Sequence, residues 1–408
     1  MQTDERLNKS NSAKIIISKI TSGLGNSVFD YANQMIISKL FPTTPFFLGV
    51  YQSAEQIVGI VFNLFAGAFA DNNERKKMLI YTDFFSGLVC LLGMLFLNSE
   101  LVYFALVAGN ILLAILHAYN SPLYNAIVKD SISESYVEKH ISIATTCSEL
   151  ISVVAPVVGL FIWKFFGIYF AYAFNAITFF FSAFVSKSIQ CKEQKPEEKI
   201  RDKANTFIQI KEGIVYISKN KIILNLLLVS AGVNFFLSAY NILLPYLTEH
   251  YTGEVDNFFG LALIANSAGA IIFSIINTKF SDKFKLTSHV RMVLSLFMVG
   301  VSILTIPIVE PYIGIYFKLI PYFLMGGFLT LFNIQFFSIV QKKTDSEYIG
   351  RVYSVIFTIA ILLMPLGNII FGSILSASDL IGMGISGAGI VFVVIFYILI
   401  SKGQFMED

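Results

Sequence analysis

A chain of 408 residues that is 55% hydrophobic and only 14% charged cannot coat itself in water, since soluble domains carry about a quarter charged residues. With a mean hydropathy of +0.70 it must use lipid as part of its solvent. The net charge of +2 excludes little, and the three cysteines, Cys90, Cys147 and Cys191, lie too far apart for a disulfide framework or a C-x-x-C metal site.

Apolar runs of ~20 residues span a bilayer core. Such runs predict helices over 14–40, 45–71, 77–97, 101–128, 141–166, 168–189, 220–247, 257–281, 290–308, 312–338, 350–377 and 380–401. The first run is long, and no small-residue cleavage site follows a short apolar core, so it reads as a spanning helix rather than a cleavable signal. One long polar break, Gln190–Lys203, falls in the middle, and an amphipathic stretch, Thr206–Ile217, follows it. The predicted organisation is a six-helix bundle over 1–189, a cytoplasmic linker with a short amphipathic helix over 190–219, and a second six-helix bundle over 220–408. The expected fold class is thus an all-α membrane protein of about twelve transmembrane helices in two six-helix pseudo-repeats.

Charge placement sets the orientation. With the N-terminus in the cytoplasm, only Lys39, Lys164 and Lys318 of the 29 Lys and Arg residues fall toward the outside. Both termini are then cytoplasmic. The halves also resemble each other. Val128–Val137 recurs as Val340–Ile349, with Tyr136 matched by Tyr348, and Ser142 recurs as Ser354. Pro156 has a counterpart in Pro365 and Asp71 in Asp282, at nearly the same shift. A duplicated six-helix unit meeting at a central site is transporter architecture.

The loop after the second helix carries Gly67, Asp71, Arg75 and Lys76 in the G-x-x-x-D-R-x-G-R-[RK] spacing, with Asn72 and Glu74 at two of its positions. The fifth helix carries Ala155-Pro156-Val157-Val158-Gly159, close to the end of a G-P-x-x-G-G element with Ala155 at the first glycine. On these residues the chain resembles the major facilitator superfamily over nearly its whole length, and within it the macrolide-efflux-like branch of bacterial drug exporters. The resemblance implies that the Asp71 loop forms a charge latch near the start of the eleventh helix, at Gly350-Arg351-Val352, and that the Pro156 element favours export. It also implies a multi-pass protein of the bacterial cell membrane, a monomer by default. Asp83, near the cytoplasmic end of the third helix, is expected to join the latch by pairing with Arg75 or Lys76.

An ionisable side chain costs roughly 2.5–3.5 kcal/mol in the hydrocarbon core on insertion scales, so such residues face the bundle interior and act there. The candidates for proton coupling are Asp30, Glu55, His117 and Glu149, all in the first half. Asp30 stands out. Gly23, Asn26, Asp30, Asn33 and Gln34 recur at three and four residues, forming a polar stripe on one helix face. Asp30 lies roughly 22–24 Å above the cytoplasmic end of its helix. A carboxylate there can take a proton outside and release it inside, or serve only as a buried hydrogen-bonding group. Glu55 reaches a similar depth from the outer end of the second helix and would share a proton with Asp30 if the two were close. Glu149 belongs to a stripe with Thr145, Ser152, Pro156 and Gly159, and His117 shares a face with Asn110, Ala114, Ser121 and Asn125. Drug antiporters often carry an arginine in this fourth helix, and this chain has none.

The second half offers amides and aromatics instead. Candidate substrate-cavity residues are Asn26, Asn33 and Gln34 from the first helix, Asn234, Tyr240 and Asn241 from the seventh, and Asn333 and Phe336 from the tenth. Such a cavity suits a bulky amphipathic ligand. No P-loop, catalytic triad, paired metal-ligand spacing or basic aromatic stretch is seen, so an enzyme, a cofactor, a metal centre and a nucleic-acid partner are not expected. The expected partners are a small-molecule substrate, protons and the lipid bilayer. The function expected is export of a macrolide-like or other drug by proton antiport with alternating access. A lipid, siderophore or peptide transporter of the same fold, or a membrane binding or immunity protein without flux, stands as the alternative.

Overall fold

The structure, a computed structural model, describes residues 2–72, 74–191, 206–280, 287–345, 348–377 and 380–401. Its helices are α1 (Gln2–Leu40), α2 (Phe46–Asn72), α3 (Arg75–Met94), α4 (Val102–Ser131), α5 (Glu134–Lys187), α6 (Thr206–Lys219), α7 (Lys221–Leu243), the short α8 (Leu247–His250), α9 (Phe258–Phe280), α10 (Ser288–Val309), α11 (Ile320–Lys343), α12 (Ile349–Ile374) and α13 (Ile381–Ile400). Among the described residues, nine of these are long and apolar enough to cross a membrane. Several connections within each unit are short, as at 132–133 between α4 and α5 and at Asn220 between α6 and α7, and a helix satisfies most of its backbone groups internally, as lipid requires.

The α5 helix is two helices in sequence. Gly167 sits at φ 71° and ψ −172°, a conformation that glycine adopts without a Cβ penalty. On either side, the two arms run in opposite senses along α1. In the first arm, His140 meets Ser12 and Gly159 meets Tyr31. In the second arm, Tyr172 meets Asn33 and Ser182 meets Ser18. The chain therefore turns back at Gly167, where two separate helices are expected from the sequence.

By contacts, the chain forms two compact units: residues 1–36 with 54–201, and residues 37–53 with 202–408. The tip of the α1–α2 hairpin thus packs with the second unit, whereas the sequence places all of 1–189 together. Within that unit the Ala377 amide donates to the Thr43 carbonyl (3.2 Å), the Tyr246 hydroxyl to the Thr44 carbonyl (3.0 Å) and Ser53 to the Pro365 carbonyl (3.0 Å). The backbone of Asn368 also lies directly against Gly49.

The first unit is tied at one end by α1, which extends well before the apolar run. Asn11, with no exposed surface, donates to the carbonyls of Ser131 (2.9 Å) and Gln190 (2.8 Å) and accepts from the Gln190 amide (3.1 Å). One side chain so fastens the ends of α4 and α5. Beneath it Ile15, Leu79, Leu123 and Ile127 form an apolar cluster.

The second unit is held by close helix approaches at small residues, the usual means in lipid, where the hydrophobic effect adds little between helices. A Cβ at Gly269 would run into the Phe323 carbonyl, one at Gly326 into the Asn266 carbonyl, and one at Gly387 into the backbone of Leu304 and Gly300. Lys318, one of the few cations expected outside, is 8% exposed. It is compensated by Glu310 at 3.2 Å and by the Tyr251 ring at 4.6 Å.

Candidate functional site

The first unit concentrates polar side chains along one face of α1. Asn26 Nδ2 donates to a ring nitrogen of His117 (3.0 Å to Nε2), joining the α1 stripe to α4. Fully buried Asn175 donates to Asn26 Oδ1 (3.5 Å) and to Cys90 Sγ (3.4 Å). One helical turn further, the Tyr172 hydroxyl donates to buried Asn33 (2.8 Å). Asp30 is half-buried between these layers, within electrostatic reach of Cys90 and Tyr172. Gln34 is half-buried on the same face. The spacing of three and four residues along α1 thus brings Asn26, Asp30 and Asn33 toward one polar layer shared with α3, α4 and the second arm of α5.

Glu55 on α2 accepts a hydrogen bond from the amide of Asn110 on α4 (3.3 Å). Asn110 is itself buried. An amide donor satisfies a carboxylate in either protonation state, because the second oxygen stays available to carry a proton.

The Pro156 element packs rather than lines. Ala155 is buried, and a Cβ at Gly159 would press on the Tyr31 ring at 3.1 Å. The first arm of α5 can therefore lie flat on α1, one residue beyond Asp30. The side chains of Glu149, Gly67 and Asp71 lie outside the described residues, so three of the sequence candidates have no contacts to set beside these.

The latch residues that are described find partners within their own units. Arg75 holds both carboxylate oxygens of Asp130, at the end of α4, at 2.9 Å. Lys76 donates to the Ile189 carbonyl at 2.7 Å. Arg351 reaches Glu212 on α6 at 3.4 Å and lies over the Tyr348 ring. The expectation for Asp83 is overturned. It lies two turns up α3 on the buried face, bonded to Ser182 and Asn120 rather than to Arg75 or Lys76. Two turns along the helix its carboxyl is taken by Ser182 and Asn120, and Arg75 is bonded to Asp130.

In the second unit the candidates separate. Asn234 donates to the Ala360 carbonyl of α12 (3.0 Å). Tyr240 is buried beside Tyr322, with ring centroids 6.3 Å apart. Phe336 is buried among Phe332 and Phe337. Asn241 is half-buried, and Asn333 is exposed on α11.

The sequence reading missed Asn175, Tyr172 and Cys90, which complete the layer around Asn26 and Asp30. All three lie on other helices, and nothing in their local pattern distinguishes them from packing residues. Asn110 was visible as a member of the His117 face, but its bond to Glu55 was not.

A bundle of long apolar helices with a polar, partly ionisable seam inside it is the pattern of a solute carrier. The sequence profile of the Major Facilitator Superfamily matches residues 15–367. The chain belongs to the Major Facilitator Superfamily. Among its relatives, Macrolide efflux protein A of Streptococcus pyogenes is 23% identical over 313 residues, covering 76% of each chain. Macrolide efflux protein A of Enterococcus faecalis is 23% identical over 310 residues, covering 75% of this chain and 94% of that one. Among solved structures, a bacterial homologue of the iron transporter ferroportin, in an inward-facing state, aligns with a TM-score of 0.73 at 13% identity, covering 96% of this chain and 98% of that one. At that identity the likeness is one of fold. The chain is a multi-pass membrane transporter of this superfamily, with efflux proteins among its relatives.

Proposed function

We propose that this protein exports a bulky amphipathic small molecule, macrolide-like in size and polarity, by proton antiport with alternating access. The observation that carries the coupling is Glu55, a carboxylate in an apolar helix that, among the described residues, is bonded by the Asn110 amide. A carboxylate paired with arginine would be pinned in its charged form. One that faces an amide can take up and give back a proton as access alternates. Asp30 and His117 extend the same seam, and Glu149 is retained as a fourth coupling candidate from its stripe on α5. Similarity to macrolide efflux proteins over about three quarters of the chain supports the cargo class and the outward direction. Of the second-unit candidates Asn234, Tyr240, Asn241, Asn333 and Phe336, Asn241 and Asn333 keep exposed surface that would meet an apolar cargo carrying a few polar groups, with the others packed behind. The reading includes twelve spans with both termini cytoplasmic, since α5 contributes two arms and α1 and α2 are 39 and 27 residues long.

The test is proton flux from proteoliposomes under an imposed pH gradient, with macrolides, cationic dyes and lipid-like compounds added in turn. A macrolide that triggers proton movement in the wild type, and fails to do so in Glu55→Gln or Asp30→Asn, supports the antiport reading. Transport that proceeds equally well without a gradient removes the proton from the mechanism.

A further inference from the structure

Asp83 plays no part in the site described above, yet its surroundings are unusual for a side chain that only packs. It has no exposed surface and sits on α3 inside the first unit. Its partners are both neutral. The Ser182 hydroxyl lies 2.5 Å from Oδ2, and Asn120 Nδ2 donates to Oδ1 at 3.4 Å. Thr82 donates to the Asn120 carbonyl oxygen at 2.7 Å, which fixes the amide with its NH2 toward Asp83. Among the described residues no lysine, arginine or histidine bonds to this carboxyl. Arg75 and Lys76 on the same helix are held by Asp130 and the Ile189 carbonyl. Lys19 follows Ser18 on α1 but is exposed, as is Lys187 on α5. His117 on α4 bonds Asn26, in the neighbouring layer. Among the described residues, the Tyr124 phenol also lies within electrostatic reach of Asp83.

From Asp83 a chain of hydroxyls runs across three helices. Ser182 is 2.7 Å from Ser18, and Ser18 is 2.9 Å from both the Tyr124 hydroxyl and Ser186. Ser18, Ser182 and Ser186 are fully buried and Tyr124 is nearly so. Each hydroxyl has one proton to donate and two lone pairs to accept with, so the bonds can be assigned in two complete ways. With Asp83 ionised, Ser182 donates to the carboxylate and Ser18 donates to Ser182, while Tyr124 and Ser186 both donate to Ser18. With Asp83 protonated, it donates to Ser182, Ser182 to Ser18 and Ser18 to Tyr124, while Ser186 still donates to Ser18. The same heavy-atom positions satisfy both states. Passing from one to the other moves one proton along each link, with no backbone rearrangement. The Oδ2–H bond forms as the Ser182 O–H breaks, Ser182 regains a proton from Ser18 and Ser18 from Tyr124, and Tyr124 takes the one incoming proton from a solvent hydronium ion, so that the chain gains a single proton and every hydroxyl ends neutral.

An asparagine in place of Asp83 would accept from Ser182 and donate to its neighbours without placing an ionisable group in an apolar span, where such groups are expensive and functional. We propose that Asp83 is a proton-binding site of this transporter, loaded and unloaded through the hydroxyl chain Ser182–Ser18–Tyr124. The inference rests on the proton-antiport reading for its role in transport, though not for proton binding itself.

Infrared difference spectra of the purified protein across a pH jump test the binding directly. The wild type is expected to show protonated-carboxyl carbonyl absorption, one component of which is absent in Asp83→Asn and shifted in Ser182→Ala, which removes its hydrogen-bond partner. In proteoliposomes, compound-driven proton flux is expected to fall at least about tenfold in Asp83→Asn, and comparably in Ser18→Ala, which keeps the carboxyl but cuts the chain. Ser18→Ala also guards against a folding defect in the Asp83 variant. An infrared difference spectrum unchanged by Asp83→Asn overturns the proposal. So does flux within about twofold of wild type in both variants. If no compound drives proton flux in the wild type, the antiport reading fails, and the infrared band alone decides whether Asp83 binds a proton.

Discussion

The two units solve the same packing problem with different chemistry. The first keeps ionisable side chains inside its helices and surrounds them with amides and hydroxyls: Glu55 with Asn110, Asp83 with Ser182 and Asn120, and Asn26 with His117. The second puts its charges at helix ends, as in Lys318 with Glu310 and Arg351 with Glu212. Its interior is closed instead with glycine against backbone and ring against ring. Two helical units of one chain therefore need not be closed by the same chemistry. On the proposed reading the first unit handles the proton and the second the cargo.

That contrast can be broken most severely in the second unit. Gly269→Leu puts a side chain into the Phe323 carbonyl on α11, and the loss is expected to exceed about 3 kcal/mol. The fraction of folded protein on size-exclusion chromatography should collapse. A folded, active Gly269→Leu protein would mean that the α9–α11 approach is looser than the glycine contacts indicate.

The charged ends should separate the units next. Arg75→Ala strands Asp130, whose side chain is only 14% exposed, and should lower stability by about 1.5–3 kcal/mol. Arg351→Ala loses a longer contact to Glu212, which is 46% exposed, and should cost at most about 1 kcal/mol. Thermal unfolding followed by fluorescence compares them, and equal shifts would erase the distinction.

On function, Glu55→Gln is expected to reduce compound-driven proton flux at least about tenfold while leaving ligand binding near wild type. Asn234→Ala should instead weaken ligand binding several-fold with coupling retained. If both variants change affinity and coupling alike, the division of labour between the units is wrong. The smallest effect belongs to Gly23→Ala. Apart from the adjoining backbone of its own helix, nothing lies within 4 Å of the added Cβ, so stability should stay within about 0.5 kcal/mol.

Much of the fold was legible from apolar length alone, because a helix that crosses lipid must bury its own hydrogen bonds and cannot hide its composition. The α1 stripe was legible for the same reason that any helix face is: Asn26, Asp30 and Asn33 recur at three and four residues. Its partners were not. Asn175 and Tyr172 reach α1 only because Gly167 turns α5 back on itself. Asp83 shows how local spacing misleads. Eight residues from Arg75, it invited an ion pair, but its register on α3 points it into the bundle, and Asp130 reaches Arg75 from the end of another helix. The N-terminal extension of α1 was missed because its polar residues carry no apolar periodicity. Asn11 earns its place only by contacts with Ser131 and Gln190.

The sequence by itself determined that this protein lives in lipid, is built of long apolar helices with one polar break midway, and carries the acidic residues of its predicted spans in the first half. Those properties follow from composition and from spacing along one chain. Only the tertiary structure decided which groups share hydrogen bonds, that the α1–α2 tip packs with the second unit, and that Asp83 ends a chain of hydroxyls rather than a latch. Those pairings depend on distances between helices far apart in sequence, and no local pattern encodes them.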